Sequence, residues 1–173
     1  MKNFLMAFMK ILVFTEGTLL MHQAASDCTR EEIIRQVKEN EESVSDFATY
    51  VPTGNAVEKL TTWKGQGAEL LYLTSRVSPN EIHDIKNVLK KYRFPKGRVL
   101  VRTEDEEYHD IVKRILPDVL IEDNCESIGG VDYVIATHLG PEIKGCINSI
   151  VVPEFGGIDH LPDKISALFI SSL

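Results

Sequence analysis

Four short stretches of the chain combine acids, hydroxyls and bases in the way that phosphate or metal chemistry requires. They are Thr15-Glu16-Gly17-Thr18, Thr74-Ser75-Arg76, Arg102-Thr103 and Glu122-Asp123-Asn124. Each follows an apolar run. Thr or Ser hydroxyls beside free backbone N–H groups suit the oxygens of a phosphate. Carboxylates such as Glu16, Glu122 and Asp123 suit a hard cation with oxygen ligands, Mg2+ above all. The blander reading is that polar residues end strands in every protein, because loops begin there. The four stretches carry chemistry only if the fold brings them together.

The intervening elements predict that it does. Residues 11–15, 69–74, 99–101 and 118–122 are short apolar runs that read as buried strands, with residues 133–136 as a fifth and 150–152 as a sixth. Helical patterns separate them. Thr29-x-x-Glu32 is a capping box opening a helix with Ile33, Ile34 and Val37 on one face. Residues 54–66 space Val57, Leu60 and Trp63 helically. Ser78-Pro79 opens a longer helix striped by Ile82, Ile85, Val88 and Leu89, which Phe94-Pro95-x-Gly97 stops. Residues 105–116 carry Tyr108, Ile111, Val112 and Ile115 inward, and Pro117 ends them. Apolar strands alternating with helices predict an α/β class: a doubly wound, Rossmann-like parallel sheet covered on both faces. In such sheets ligands bind beyond the carboxyl ends of the strands, where all four polar stretches fall.

Composition bounds the partners. The 173 residues carry 19 basic and 26 acidic side chains, a net charge of −7, with pI near 5.2. Bulk charge therefore argues against nucleic acid but leaves a small phosphorylated ligand open, since a local site can differ from the whole. Cys28, Cys125 and Cys146 are odd in number, far apart and without zinc-like spacing, as in a reducing cytoplasm. Residues 1–14 have a basic start and an apolar run, the outline of a leader. Lys10 and Glu16 interrupt it, and cleavage would remove the first strand. The expectation is a cytoplasmic chain that does not span a membrane, with residues 1–8 an extension and residues 9–173 one domain. Its oligomeric state is not legible.

At these residues the chain resembles the haloacid dehalogenase-like superfamily of phosphatases and related hydrolases, over about residues 10–135. Phe14-Thr15-Glu16-Gly17-Thr18 is similar to that family's first motif, Asp-x-Asp-Gly-Thr. Gly54-Asn55-Ala56-Val57-Glu58-Lys59-Leu60, with Gly67 and Leu71-Tyr72-Leu73-Thr74-Ser75-Arg76, resembles the helix and strand of the second, whose Thr or Ser binds the transferring phosphoryl group. Pro117-Asp118-Val119-Leu120-Ile121-Glu122-Asp123 resembles the fourth, where paired acids hold Mg2+. Residues 22–51 lie where the family inserts a small cap.

The departures matter for function. The family's nucleophilic Asp falls on Phe14 and its acid/base Asp on Glu16. Phenylalanine cannot attack phosphorus, and losing a nucleophile cost about 10⁶ in turnover in a well-studied protease. The third motif's lysine has two candidates, His109 and Lys113, four apart on one helix face. The resemblance thus implies a ligand pocket of Gly17, Thr18, Thr74, Ser75, Arg76 and His109 or Lys113, and a Mg2+ site of Glu16, Glu122 and Asp123. The expected function is binding of a small phosphorylated ligand or divalent cation without aspartyl-phosphate chemistry. One alternative is a phosphoester hydrolase in which Glu16 acts as acid/base on a metal-bound water. The other is a non-enzymatic interaction module whose cleft is filled by side chains such as Phe14. Cys125 is read as a loop-borne thiol rather than a nucleophile, His22 as lining the site or entering the cap, and Tyr50 and Trp63 as packing. His138 and His160 lie in the C-terminal loops, where no regular metal spacing links them.

Overall fold

Five apolar runs hydrogen-bond into one sheet. In the computed structural model, which describes residues 8–169, its strands are β1 (Lys10–Phe14), β4 (Glu69–Leu73), β5 (Arg98–Leu100), β6 (Val119–Asp123) and β7 (Asn148–Val152). All neighbours are parallel, in the order β5-β4-β1-β6-β7. The chain starts in the middle, winds outward through β4 and β5, then returns to the other side of β1 for β6 and β7. The switch in direction lies between β1 and β6, and the ligand crevice of such a sheet lies at its carboxyl end.

Successive side chains of a strand face opposite ways, and the strands are apolar on both faces because both are covered. Ile11, Val13, Leu70, Tyr72, Val119 and Ile121 pack against α2 (Ala56–Gly65) and α3 (Pro79–Lys91) through Leu60, Trp63, Ile85 and Val88. Leu12, Leu71, Leu73 and Leu120 face α4 (Tyr108–Ile115), meeting Ile111 and Val112. Ser78 caps α3 by accepting the Glu81 N–H, and Pro79 occupies its first turn. The C-terminal segment straps α2: Trp63 Nε1 donates to Pro162 O at 2.9 Å and Lys59 Nζ to Leu161 O at 2.7 Å.

Between β2 (Leu20–Met21) and β3 (Val51–Pro52), an antiparallel pair, the chain leaves the sheet. It forms α1 (Arg30–Lys38) and short 3-10 turns, and α1 carries the expected capping box, with the Thr29 N–H donating to Glu32 at 2.7 Å. Removing the Thr29 hydroxyl (Thr29→Ala) should cost about 1 kcal/mol in urea unfolding, the usual value of a cap.

Two expectations need correction. Residues 133–136 are not a strand. They lie in the turns Gly130–Tyr133 and Ile135–His138, and the N–H groups of Ile135 and Ala136 point to the Glu122 carboxylate rather than to a neighbouring strand. The fifth strand is β7, longer at its start than the apolar run suggested. The expected extension, residues 1–8, lies outside the described residues except for Phe8. No helix among the described residues is long and apolar enough to cross a membrane.

Candidate functional site

A cavity of about 720 Å3 opens at the carboxyl ends of β1, β4, β5 and β6. Phe14, Glu16, Gly17, Ser75 and Asp123 contribute to its sheet side, and Val37, Val44, Phe47 and Tyr50 cover it from the segment between β2 and β3. Phe14 is half-buried and packs edge-to-face on Tyr108, ring centroids 5.6 Å apart, so it lines the cleft instead of filling it. The cleft beside Phe14 is open, where an interaction module was expected to have it filled.

Glu16 lies where the ends of β1 and β4 meet. Its Oε1 accepts the Thr74 hydroxyl at 2.6 Å, and its Oε2 accepts the Ser75 N–H at 3.2 Å and lies within reach of the Thr15 hydroxyl. Arg76 Nε is 3.5 Å from Oε1. Thr15 and Thr74 are wholly buried. The carboxylate is therefore held by donors from the ends of β1 and β4.

Asp123 and Glu122 are neighbours in sequence but not in orientation. Asp123 turns toward the first loop, where Oδ2 accepts the Thr18 hydroxyl at 3.0 Å and Oδ1 the Cys125 N–H at 2.9 Å. Glu122 turns to the other face of the sheet and accepts the N–H groups of Ile135 (2.7 Å) and Ala136 (2.9 Å). Burial pushes the Glu122 carboxyl up to about 7, against the pull of those two N–H groups toward the ionised form. Asp123 and Glu154 are also raised, burial being the largest cause in both. Among the described residues no three His, Cys, Asp or Glu side chains come together to hold a metal ion. The Mg2+ set expected from Glu16, Glu122 and Asp123 does not come together here: Glu122 and Asp123, successive in β6, turn to opposite faces, and all three carboxylates are engaged by chain donors. These residues do not fit an octahedral oxygen site.

The cations sit around the cavity wall. Arg76 lies 4.5 Å over the Phe47 ring and donates to Ser75 Oγ at 2.6 Å. Arg102 lies 5.2 Å over Tyr108, and its Nε is buried with no hydrogen-bond partner. His109 also lines the cavity and stacks on His138, centroids 6.2 Å apart. Lys113 does not line it; its ammonium pairs with Asp110 at 3.3 Å. Gly17 and Ser75 face the cavity, whereas Thr18 and Thr74 serve it from below, each through a carboxylate.

The remaining residues fall into place. His22 enters the cap, where it is buried and shares a 2.7 Å hydrogen bond with Gln36. Trp63 is core, and Tyr50 is both packing and cavity wall. Cys125 lines the cavity, but burial first and the Asp123 charge second push its thiol up, away from the thiolate a nucleophile needs. Sequence reasoning missed His138 and Glu154 as lining residues, and singled out Arg102 at a strand end without placing it in the ligand pocket. For Arg102 a signal existed in its place at the end of β5. His138 and Glu154 come from loops, and neither has a local signature.

No protein-family model matches the chain, and no curated protein does. Among solved structures it is similar to the class C acid phosphatase from Bacillus anthracis (TM-score 0.56, 12% identity, 96% of this chain and 80% of that one). It is also similar to a haloacid dehalogenase-like family hydrolase from Streptococcus pneumoniae (0.53, 10%, 95% and 90%). A third likeness is to a chain of the Pnkp1/Rnl/Hen1 RNA repair complex (0.52, 16%), covering 86% of this chain but 44% of that one, so this chain spans less than half its length. At these identities the likeness establishes the fold: a haloacid dehalogenase-like α/β sheet.

Proposed function

We propose that the chain binds a small phosphorylated molecule in the cavity without covalent phosphoryl transfer. The carrying observation is the pair of arginines on the cavity wall, Arg76 and Arg102; the Arg102 Nη1 lies 3.3 Å from Glu107, and its buried Nε has no acceptor among the described residues. Arg76 stands ready beside it in charge, and both guanidinium planes are steadied on aromatic faces. The walls between them, Phe14, Phe47 and Tyr108, suit an apolar or aromatic body on the ligand. Phe14, at the end of β1, offers no nucleophile, and the Glu16 carboxylate is held by its donors, which favours binding over covalent phosphoryl transfer.

Calorimetric titration with a panel of phosphate monoesters, from phenyl phosphate to nucleoside monophosphates, tests this. At least one should bind, and Arg76→Ala and Arg102→Ala should each weaken it roughly tenfold or more, as expected for charge-assisted hydrogen bonds. No inorganic phosphate should be released from any panel member. Absence of binding across the panel, or affinities indifferent to both arginines, would overturn the reading.

A further inference from the structure

The floor of the cavity already holds an anion, and the chain itself supplies it. Thr74 Oγ1 accepts the Arg76 N–H at 3.1 Å, which turns the hydroxyl proton toward Glu16 Oε1 at 2.6 Å. The Ser75 N–H points at Oε2 at 3.2 Å, and the Thr15 hydroxyl reaches the same oxygen. With Arg76 Nε 3.5 Å from Oε1, two hydroxyls, one backbone N–H and one guanidinium converge on a single carboxylate. Such convergent donors, fixed at the ends of two buried strands, form an oxyanion seat whatever anion fills it.

We propose that Glu16 is the intramolecular occupant of this seat and excludes external oxyanions from it. The carboxylate arrives from the turn directly after β1, so it is always present at the seat and costs no association entropy. An incoming phosphate would have to displace it and then face the Asp123 carboxylate on the neighbouring strand. Phosphate groups are thereby kept at the arginine wall, away from the strand ends. Glu16 acts here as a specificity-determining residue. The inference goes beyond the ligand proposed above and does not depend on it, because inorganic phosphate alone tests it.

Inorganic phosphate is titrated calorimetrically into the full chain, Glu16→Ala, and Glu16→Ala combined with Thr74→Val. Glu16→Ala should bind phosphate roughly tenfold or more tightly than the unaltered chain, since it leaves charge-assisted donors unpaired. Adding Thr74→Val should remove the gain. Melting provides a second readout: phosphate should raise the melting temperature of Glu16→Ala by more than that of the unaltered chain. Equal phosphate affinity with and without Glu16, a gain that survives Thr74→Val, or melting temperatures that phosphate shifts alike in both chains would each overturn the proposal. Failure of the monoester panel, by contrast, would leave this result standing.

Discussion

Replacing Gly17 by alanine should lower the thermal midpoint by about 5–15 °C, the equivalent of roughly 2–4 kcal/mol for a chain of this size. Gly17 has φ of +83°, a backbone conformation that costs other residues about 1–3 kcal/mol. A Cβ there would lie 2.6 Å from Asp123 Oδ2 and 3.1 Å from its Cγ. Asp123 is buried and tied by the Thr18 hydroxyl and the Cys125 N–H, so it cannot yield without losing buried hydrogen bonds worth about 1–3 kcal/mol. Gly65→Ala is the contrast. Gly65 ends α2, and an added Cβ would meet nothing within 4 Å. That variant should be neutral, or more stable by up to about 1 kcal/mol. Circular dichroism melting of the two variants checks the pair. A Gly17→Ala midpoint within a degree or two of the unaltered chain would refute the close approach of the first loop to Asp123.

The second large effect is on stability as a function of pH. Glu122 is raised from 4.5 to about 7, so between those values the folded chain holds a proton that the unfolded chain has released. Stability then falls as pH rises. The contribution of Glu122 is fully present below about pH 4.5 and is lost as pH passes through 7, a total of about 3 kcal/mol at 1.36 kcal/mol per unit. Asp123 and Glu154, both raised by burial, act in the same direction. Glu32 and Asp110 are held below the ordinary carboxylate range, Glu32 chiefly by the Thr29 N–H and Asp110 chiefly by the Glu107 N–H. They act in the opposite sense and at lower pH. Comparison with Glu122→Gln isolates the single group, because every other carboxylate is shared. The stability of the unaltered chain minus that of Glu122→Gln, from urea unfolding at pH 5 and pH 8, should fall by about 2–3 kcal/mol. A difference that does not change with pH would mean that Glu122 titrates normally, and that its burial against Ile135 and Ala136 is not maintained in solution.

Both results depend on where neighbouring residues point, and this is also where sequence reading succeeded and failed. The capping box at Thr29 and the Ser78-Pro79 start of α3 were legible because a helix start is set by residues within one turn of each other. The order of strands and helices followed from hydrophobic period for the same local reason. The apolar run at residues 133–136 misled, since burial and strand pairing leave the same apolar signature. Val134 and Ile135 are buried, but the Val134 N–H closes a turn on the Val131 carbonyl and the Ile135 N–H serves Glu122 instead of a ladder. Glu122 and Asp123 were expected as metal ligands; successive in β6, they turn to opposite faces, although both border the cavity.

The chain's own sequence determined its α/β class, the position of its polar residues at strand ends, and the absence of a nucleophile at Phe14. Each of these depends on residue type and on spacing within a few positions. Tertiary structure alone decided that Glu16 meets Thr74 across 58 residues, that Thr18 meets Asp123 across 105, and that Arg102, not Lys113, reaches the cavity. No local pattern encodes these contacts. They arise when parallel strands distant in sequence align their carboxyl ends in register, and the donors brought together there select which carboxylates are held and which way they turn.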